Sequence, residues 1–121
     1  MSNGHILIVD DDDALRETLA EALEDEGFTV QTAGDGANAL FTVMHSSPDV
    51  VLLDMRMPLL DGSAFVRELR NRGVDAPILV MTAAEDASSY AAEIQASGWI
   101  GKPFSLDELL PAVERLFSRV A

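Results

Sequence analysis

The sequence predicts an α/β protein built on a doubly wound, five-stranded parallel sheet with five helices. Two observations carry that prediction. Short runs of β-branched and aliphatic residues alternate with segments of helical period along the chain. The central runs are apolar through their middles, as strands buried on both faces are, rather than alternating. No linker, repeat or low-complexity tract interrupts the pattern. With 121 residues the chain is of single-domain size, and it is long enough to bury about two-thirds of its unfolded surface.

Each element follows from local signals. His5–Asp10 (HILIVD) is the first strand. Ala14–Glu26 is a helix with Leu15, Leu19, Ala22 and Leu23 on one stripe, opened by Asp12 or Asp13 and stopped by Gly27. Phe28–Ala33 is the second strand, and Gly34, Asp35 and Gly36 form a turn. Ala37–Ser46 is a helix expected to turn Leu40, Val43 and Met44 inward, broken by Ser47-Pro48. Asp49–Asp54 is the third and most apolar strand, followed by a loop over 55–60 containing Pro58. Asp61–Asn71 is the third helix, ended near Gly73, and Pro77–Thr82 the fourth strand. Ala83–Ser97 holds an Ala- and Ser-rich fourth helix, expected to be the least firmly packed. Gly98–Gly101 is a short fifth strand. Ser105 and Glu108 form a capping box for a last helix reaching Val120, with Pro111 expected to kink it or shift its start.

Composition narrows the function. There are no cysteines, which excludes disulfides, iron–sulfur clusters and thiolate zinc sites. His5 and His45 are far apart in sequence and are read as surface residues rather than a metal pair. Twenty-one acidic residues against eight basic ones give a net charge of −13, which disfavours direct contact with nucleic acid or an anionic membrane. No apolar run is long enough to span a bilayer, and Ser2, Asn3 and Gly4 lead straight into a strand with no signal peptide in view. A cytoplasmic protein is expected. The only lysine is Lys102.

Ligands of doubly wound sheets bind beyond the carboxyl ends of the strands. Those ends carry Asp10 and Asp11, Asp54, Thr82 and, just after the fifth strand, Lys102. In the order 2-1-3-4-5 the first and third strands are neighbours, so the carboxylates converge. Such carboxylates repel unless a cation intervenes, and oxygen ligands of this kind suit Mg²⁺, which keeps positions open for phosphate oxygens. An ammonium and a hydroxyl beside them can hold the oxygens of a phosphoryl group. Asp54 is placed centrally to act as the nucleophile that would form an acyl phosphate.

These motifs resemble the receiver domain of bacterial two-component response regulators, of the chemotaxis-type single-receiver kind, with a flavodoxin-like fold over residues 1–121. The resemblance rests on Ile6–Asp11, on Leu52-Leu53-Asp54 with Met57-Pro58 and Asp61-Gly62, on Ile78–Ala83, and on Lys102-Pro103-Phe104. Gly27–Val30, Ala33, Gly36 and Ala39-Leu40 match the connecting pattern. It implies that Asp54 is the phospho-accepting aspartate. It implies Mg²⁺ held by Asp11 and Asp54, by the backbone carbonyl of Arg56, and by Asp10 through water. Thr82 resembles the switch hydroxyl, and the Ala83 N–H and Lys102 the groups that hold the phosphoryl oxygens. The Lys102-Pro103 bond is expected to be cis. Trp99 stands where the family usually has a tyrosine or phenylalanine as an aromatic switch.

The implied partners are a sensor histidine kinase or a histidine phosphotransfer protein, and a downstream protein target or an effector domain outside this chain. A phosphorylation-dependent homodimer is a further expectation. Partner binding would change on the face formed by the fourth helix, fifth strand and fifth helix. Arg56 and Ala84 flank the path of attacking water and are expected to set the rate of dephosphorylation.

Blander readings stand beside these. Asp12 and Asp13 read as acids favoured at a helix start. Met55 and Met57 read as packing residues, and Trp99 fits either a switch or a half-buried core aromatic. The run from Asp11 to Glu21 lacks the glycine of a calcium-binding loop. A phosphatase would need a second acid where Arg56 stands. The chain reads as a signalling phosphoacceptor rather than a multiple-turnover enzyme. The alternative is a receiver-like protein-binding module that works without phosphorylation.

Overall fold

The computed structural model describes residues 3–57 and 61–120; the Pro58 and Leu60 positions of the loop after the third strand lie outside them. Elements alternate as β1 (His5–Val9), α1 (Asp13–Asp25), β2 (Thr29–Ala33), α2 (Gly36–His45), β3 (Val50–Asp54), α3 (Gly62–Asn71), β4 (Ile78–Ala83), α4 (Ala84–Ile94), β5 (Gly98–Lys102) and α5 (Leu106–Val120). The five strands form one sheet in the order β2-β1-β3-β4-β5, and each neighbouring pair is parallel. This is the predicted doubly wound architecture.

The strand side chains divide by parity. Leu7, Val9, Val51, Leu53, Ile78 and Val80 pack with residues of α2, α3 and α4 on one face of the sheet. Ile6, Ile8, Val50, Leu52, Leu79 and Met81 pack with residues of α1 and α5 on the other. Two-sided burial explains why β1 and β3 carry continuous apolar runs: at most about one percent of Ile6–Val9 and none of Val50–Leu53 is exposed.

Helix starts follow the capping chemistry of the sequence. Asp12, not Asp13, caps α1 by accepting from the Leu15 N–H. Asp35 and Asp61 do the same for α2 and α3. The capping box is formed: the Ser105 and Glu108 side chains each bond to the other's backbone N–H.

Four expectations change. First, α4 stops at Ile94 instead of continuing to Ser97. Gln95 takes a left-handed backbone conformation, and the Ser97 N–H donates to Ile78 O at 3.0 Å, which draws the chain into the sheet. Second, Met44 is exposed, because α2 buries Ala39 and Val43 and Met44 lies about 100° around the helix from Val43. Third, α5 starts at its cap and continues through Pro111, which sits on the exposed side. Fourth, His5 is only partly exposed. Its ring Nδ1 lies 3.2 Å from Ser47 O and its Nε2 is buried, whereas His45 is exposed against the Phe41 ring. No helix among the described residues is long and apolar enough to cross a membrane.

Candidate functional site

Register brings the acidic strand ends together. Val9 of β1 pairs with Leu53 of β3, so the residues one step on, Asp10 and Asp54, stand side by side where the strands stop. On the other side of β3, Asp54 pairs with Met81, which places Thr82 at the same edge. Thr82 and Ala83 pair in turn with Gly101 and Lys102 of β5. Four separate strands therefore deliver Asp10, Asp54, Thr82 and Lys102 to one rim.

Asp10, Asp54 and Thr82 are buried as deeply as the aliphatic core. Asp10 Oδ1 accepts from the Asp12 N–H at 3.0 Å, and its Oδ2 accepts from Lys102 Nζ at 2.7 Å. Asp54 Oδ1 accepts from the Arg56 N–H at 2.9 Å, and Lys102 Nζ lies 3.4 Å from its Oδ2. Burial pushes the Asp54 carboxyl above the usual carboxylate range, and the Asp10 charge adds to this. The Arg56 N–H and the Lys102 ammonium pull it part of the way back. Burial alone would lower Lys102, but its hydrogen bond to Asp10 and the charges of Asp10 and Asp54 outweigh that and raise it.

Asp10, Asp11 and Asp54 each turn a carboxylate oxygen to within 4.8 Å of the other two. Among the described residues, Lys102 is the cation paired with this group. One ammonium against three carboxylates leaves negative charge to be balanced, and the donor set is wholly oxygen. Those are the terms on which Mg²⁺ is held, so these residues fit the ion that the sequence implies. Asp11, which is exposed, meets solvent at the open side.

Thr82 Oγ1 is buried without a hydrogen-bond partner. A buried hydroxyl without a partner costs about 1–3 kcal/mol, so its retention at this rim suits a ligand oxygen that would accept from it. The cleft above these groups measures about 460 Å³ and is lined by Asp54, Thr82, Ala83, Lys102, Arg56 and Asp12, with Leu15, Pro103 and Phe104 as an apolar wall. The Lys102-Pro103 bond is cis, as expected.

The remaining residues named from the sequence divide. Arg56 lines the cleft, and its guanidinium reaches across to Asp86 on the first turn of α4, with Nη1 3.1 Å from Oδ2. Met55 and Met57 are buried in the core, as packing residues. Trp99 lies on edge strand β5 with 56% of its surface exposed, outside both apolar clusters and not among the residues that line this cleft. Sequence reasoning passed over the apolar wall and Asp86. Asp86 was visible only as one of two acids, with Glu85, at a helix start.

Comparisons with known proteins agree with this geometry. The family model described as the response regulator receiver domain matches residues 6–114. The chain is 43% identical over 118 residues to the response regulator MprA of Mycobacterium sp. (strain KMS), covering 96% of this chain and 51% of that protein. It is 44% identical over 116 residues to MprA of Mycobacterium ulcerans, covering 94% of this chain and 50% of that one. The chain thus spans about half the length of the curated relatives it matches. Among solved structures, the receiver domain of Francisella response regulator 1452 superposes with a TM-score of 0.85 at 30% identity, covering 98% of this chain and all of that one. The chemotaxis response regulator CheY4 of Vibrio cholerae superposes with a TM-score of 0.83 at 32% identity, covering 93% and 98%.

Proposed function

Because the chain belongs to the response regulator receiver family, the signalling phosphoacceptors of two-component systems, we propose that Asp54 is its phosphoacceptor and residues 1–121 one receiver domain. The donor is a phosphohistidine on a sensor kinase or a histidine phosphotransfer protein. The observation that carries this reading is the set of three converging carboxylates, one shared lysine and one buried, unpartnered hydroxyl.

The chemistry follows from these groups. The ionised Asp54 carboxylate attacks phosphorus in line with the donor. An oxygen–phosphorus bond forms, the nitrogen–phosphorus bond breaks, and its electron pair returns to the donor imidazole. Lys102, held at the rim by Asp10, pairs with an oxygen of the arriving group. Thr82 Oγ–H and the Ala83 N–H donate to others. Asp11, Asp54, the Arg56 carbonyl and, through water, Asp10 would hold Mg²⁺, which when bound supplies charge that offsets both the carboxylate repulsion and the phosphoryl oxygens.

A hydroxyl that acquires a partner only when phosphate is present biases the chain toward a second packing. Thr82 and Ala83 end β4 immediately before α4, so the shift is expected to reach the face of α4, β5 and α5, where Trp99 is exposed. Partner binding on that face is the output, through a target protein, an effector domain or a second copy.

Labelled acetyl phosphate tests the acceptor. With Mg²⁺ present, the chain should take up about one equivalent of label. Asp54→Asn should take up none, and chelation of Mg²⁺ should block uptake by the unaltered chain. Full labelling of Asp54→Asn, or no labelling of the unaltered chain, overturns the proposal.

A further inference from the structure

The Arg56–Asp86 ion pair joins the loop after the acceptor strand to the start of α4. Arg56 follows the acceptor strand by two residues, lines the cleft, and is tied by its backbone N–H to Asp54. Asp86 lies on the first turn of α4. Their side chains are 57% and 40% exposed, and Asp86 is not among the cleft-lining residues, so the pair draws the Arg56 guanidinium to the side of the cleft, in contact with water. We infer that Asp86 is a positioning residue: it holds the Arg56 guanidinium toward α4 and so keeps the approach of water to phosphorylated Asp54 open. This rests on the reading of Asp54 as phosphoacceptor.

Two anions compete for Arg56. Arg56 has a single charge-assisted partner among the described residues, the Asp86 carboxylate. A phosphoryl group on Asp54 brings a second, more strongly charged partner to the same cleft, and guanidinium groups bind phosphate oxygens well. With Asp86 in place, Arg56 is shared between the two. Without it, Arg56 would settle on the phosphoryl oxygens and cover the face opposite Asp54, from which water must arrive. The affected step is hydrolysis of the acyl phosphate. Water oxygen bonds to phosphorus, the bond from phosphorus to the Asp54 oxygen breaks, and its electron pair stays on the carboxylate. The products are the carboxylate, inorganic phosphate and one proton released to solvent.

The neighbouring acid provides a control. Glu85 shares the first turn of α4, so a general effect of acids at that helix start would act through Glu85 as well. An effect through Arg56 would act through Asp86 alone.

The experiment follows loss of label from the phosphorylated chain. Exposed ion pairs are weak, which sets the expected scale: Asp86→Asn should lose label about two- to fivefold more slowly than the unaltered chain. Asp86→Glu should restore the original rate, and Glu85→Gln should leave it unchanged. In an Arg56→Ala background, adding Asp86→Asn should change nothing further. Decay of Asp86→Asn at the original rate or faster, an equal effect of Glu85→Gln, or an effect that persists without Arg56 would each overturn the inference while label uptake itself stands. Absence of uptake by the unaltered chain would overturn the acceptor reading and this inference with it.

Discussion

Val9 and Asp10 are consecutive, and both are fully withdrawn from water. Val9 lies in the apolar body of the sheet, among Leu7, Val51, Leu53 and Val80, where burial is itself the gain. Asp10 begins the polar rim, where burial is a cost met by specific partners: one N–H and one ammonium. The two regions are built from the same strands and are equally dry, yet they respond to change in opposite ways. The body holds the molecule together. The rim spends part of that stability on carboxylates and a hydroxyl whose best partner would be a ligand.

The largest test of this contrast is in the body. Leu52 is fully buried in the central strand β3, between Ile8 and Leu79. Leu52→Ala should lower the unfolding free energy by about 2–5 kcal/mol, read as a lower midpoint in urea. A loss near zero would mean that the body is less tightly packed than its burial indicates.

A smaller effect of opposite sign is expected at Thr82. Thr82→Val keeps the branched shape and removes the buried hydroxyl that lacks a partner. Stability should rise by about 1 kcal/mol, while the response to phosphorylation is lost. A drop in stability would show that the hydroxyl is already satisfied.

The smallest effect belongs to Asp54 in the metal-free chain. Its carboxyl is raised by burial, so the folded state holds that proton more tightly than the unfolded state does. Its contribution to stability is therefore greatest below the unfolded value of about 4 and declines as pH rises through the folded value. Asp54→Asn removes that decline. At neutral pH it should be more stable than the unaltered metal-free chain, and the gap should close as pH falls toward about 4. A gap that widens on acidification would contradict the burial argument.

How much of this was legible beforehand varies by feature. The rim was legible because acids at the ends of otherwise apolar runs stand out: Asp10 after Ile6–Val9, Asp54 after Val50–Leu53. Element order was legible for the same reason, and most boundaries fell within a residue or so. The facing of single side chains was less so. Met44 fits an inward stripe on periodicity alone, and only the rotation of α2 against the sheet turns it out. The Arg56–Asp86 pair was not legible at all. Its members lie 30 residues apart, and in its own segment Asp86 reads as one of two acids at a helix start.

What the sequence determined by itself was therefore the alternation of strand and helix, the two-sided burial of β1 and β3, and the chemical types gathered at the strand ends. These depend on local periodicity and on the rule that parallel strands point their carboxyl ends the same way. The tertiary structure decided which partner each polar group takes. Lys102 is drawn closest to Asp10, Arg56 to Asp86, and Thr82 is left without one. Such choices depend on distances of a few ångströms between segments remote in the chain, and those distances exist only once the sheet has set its register.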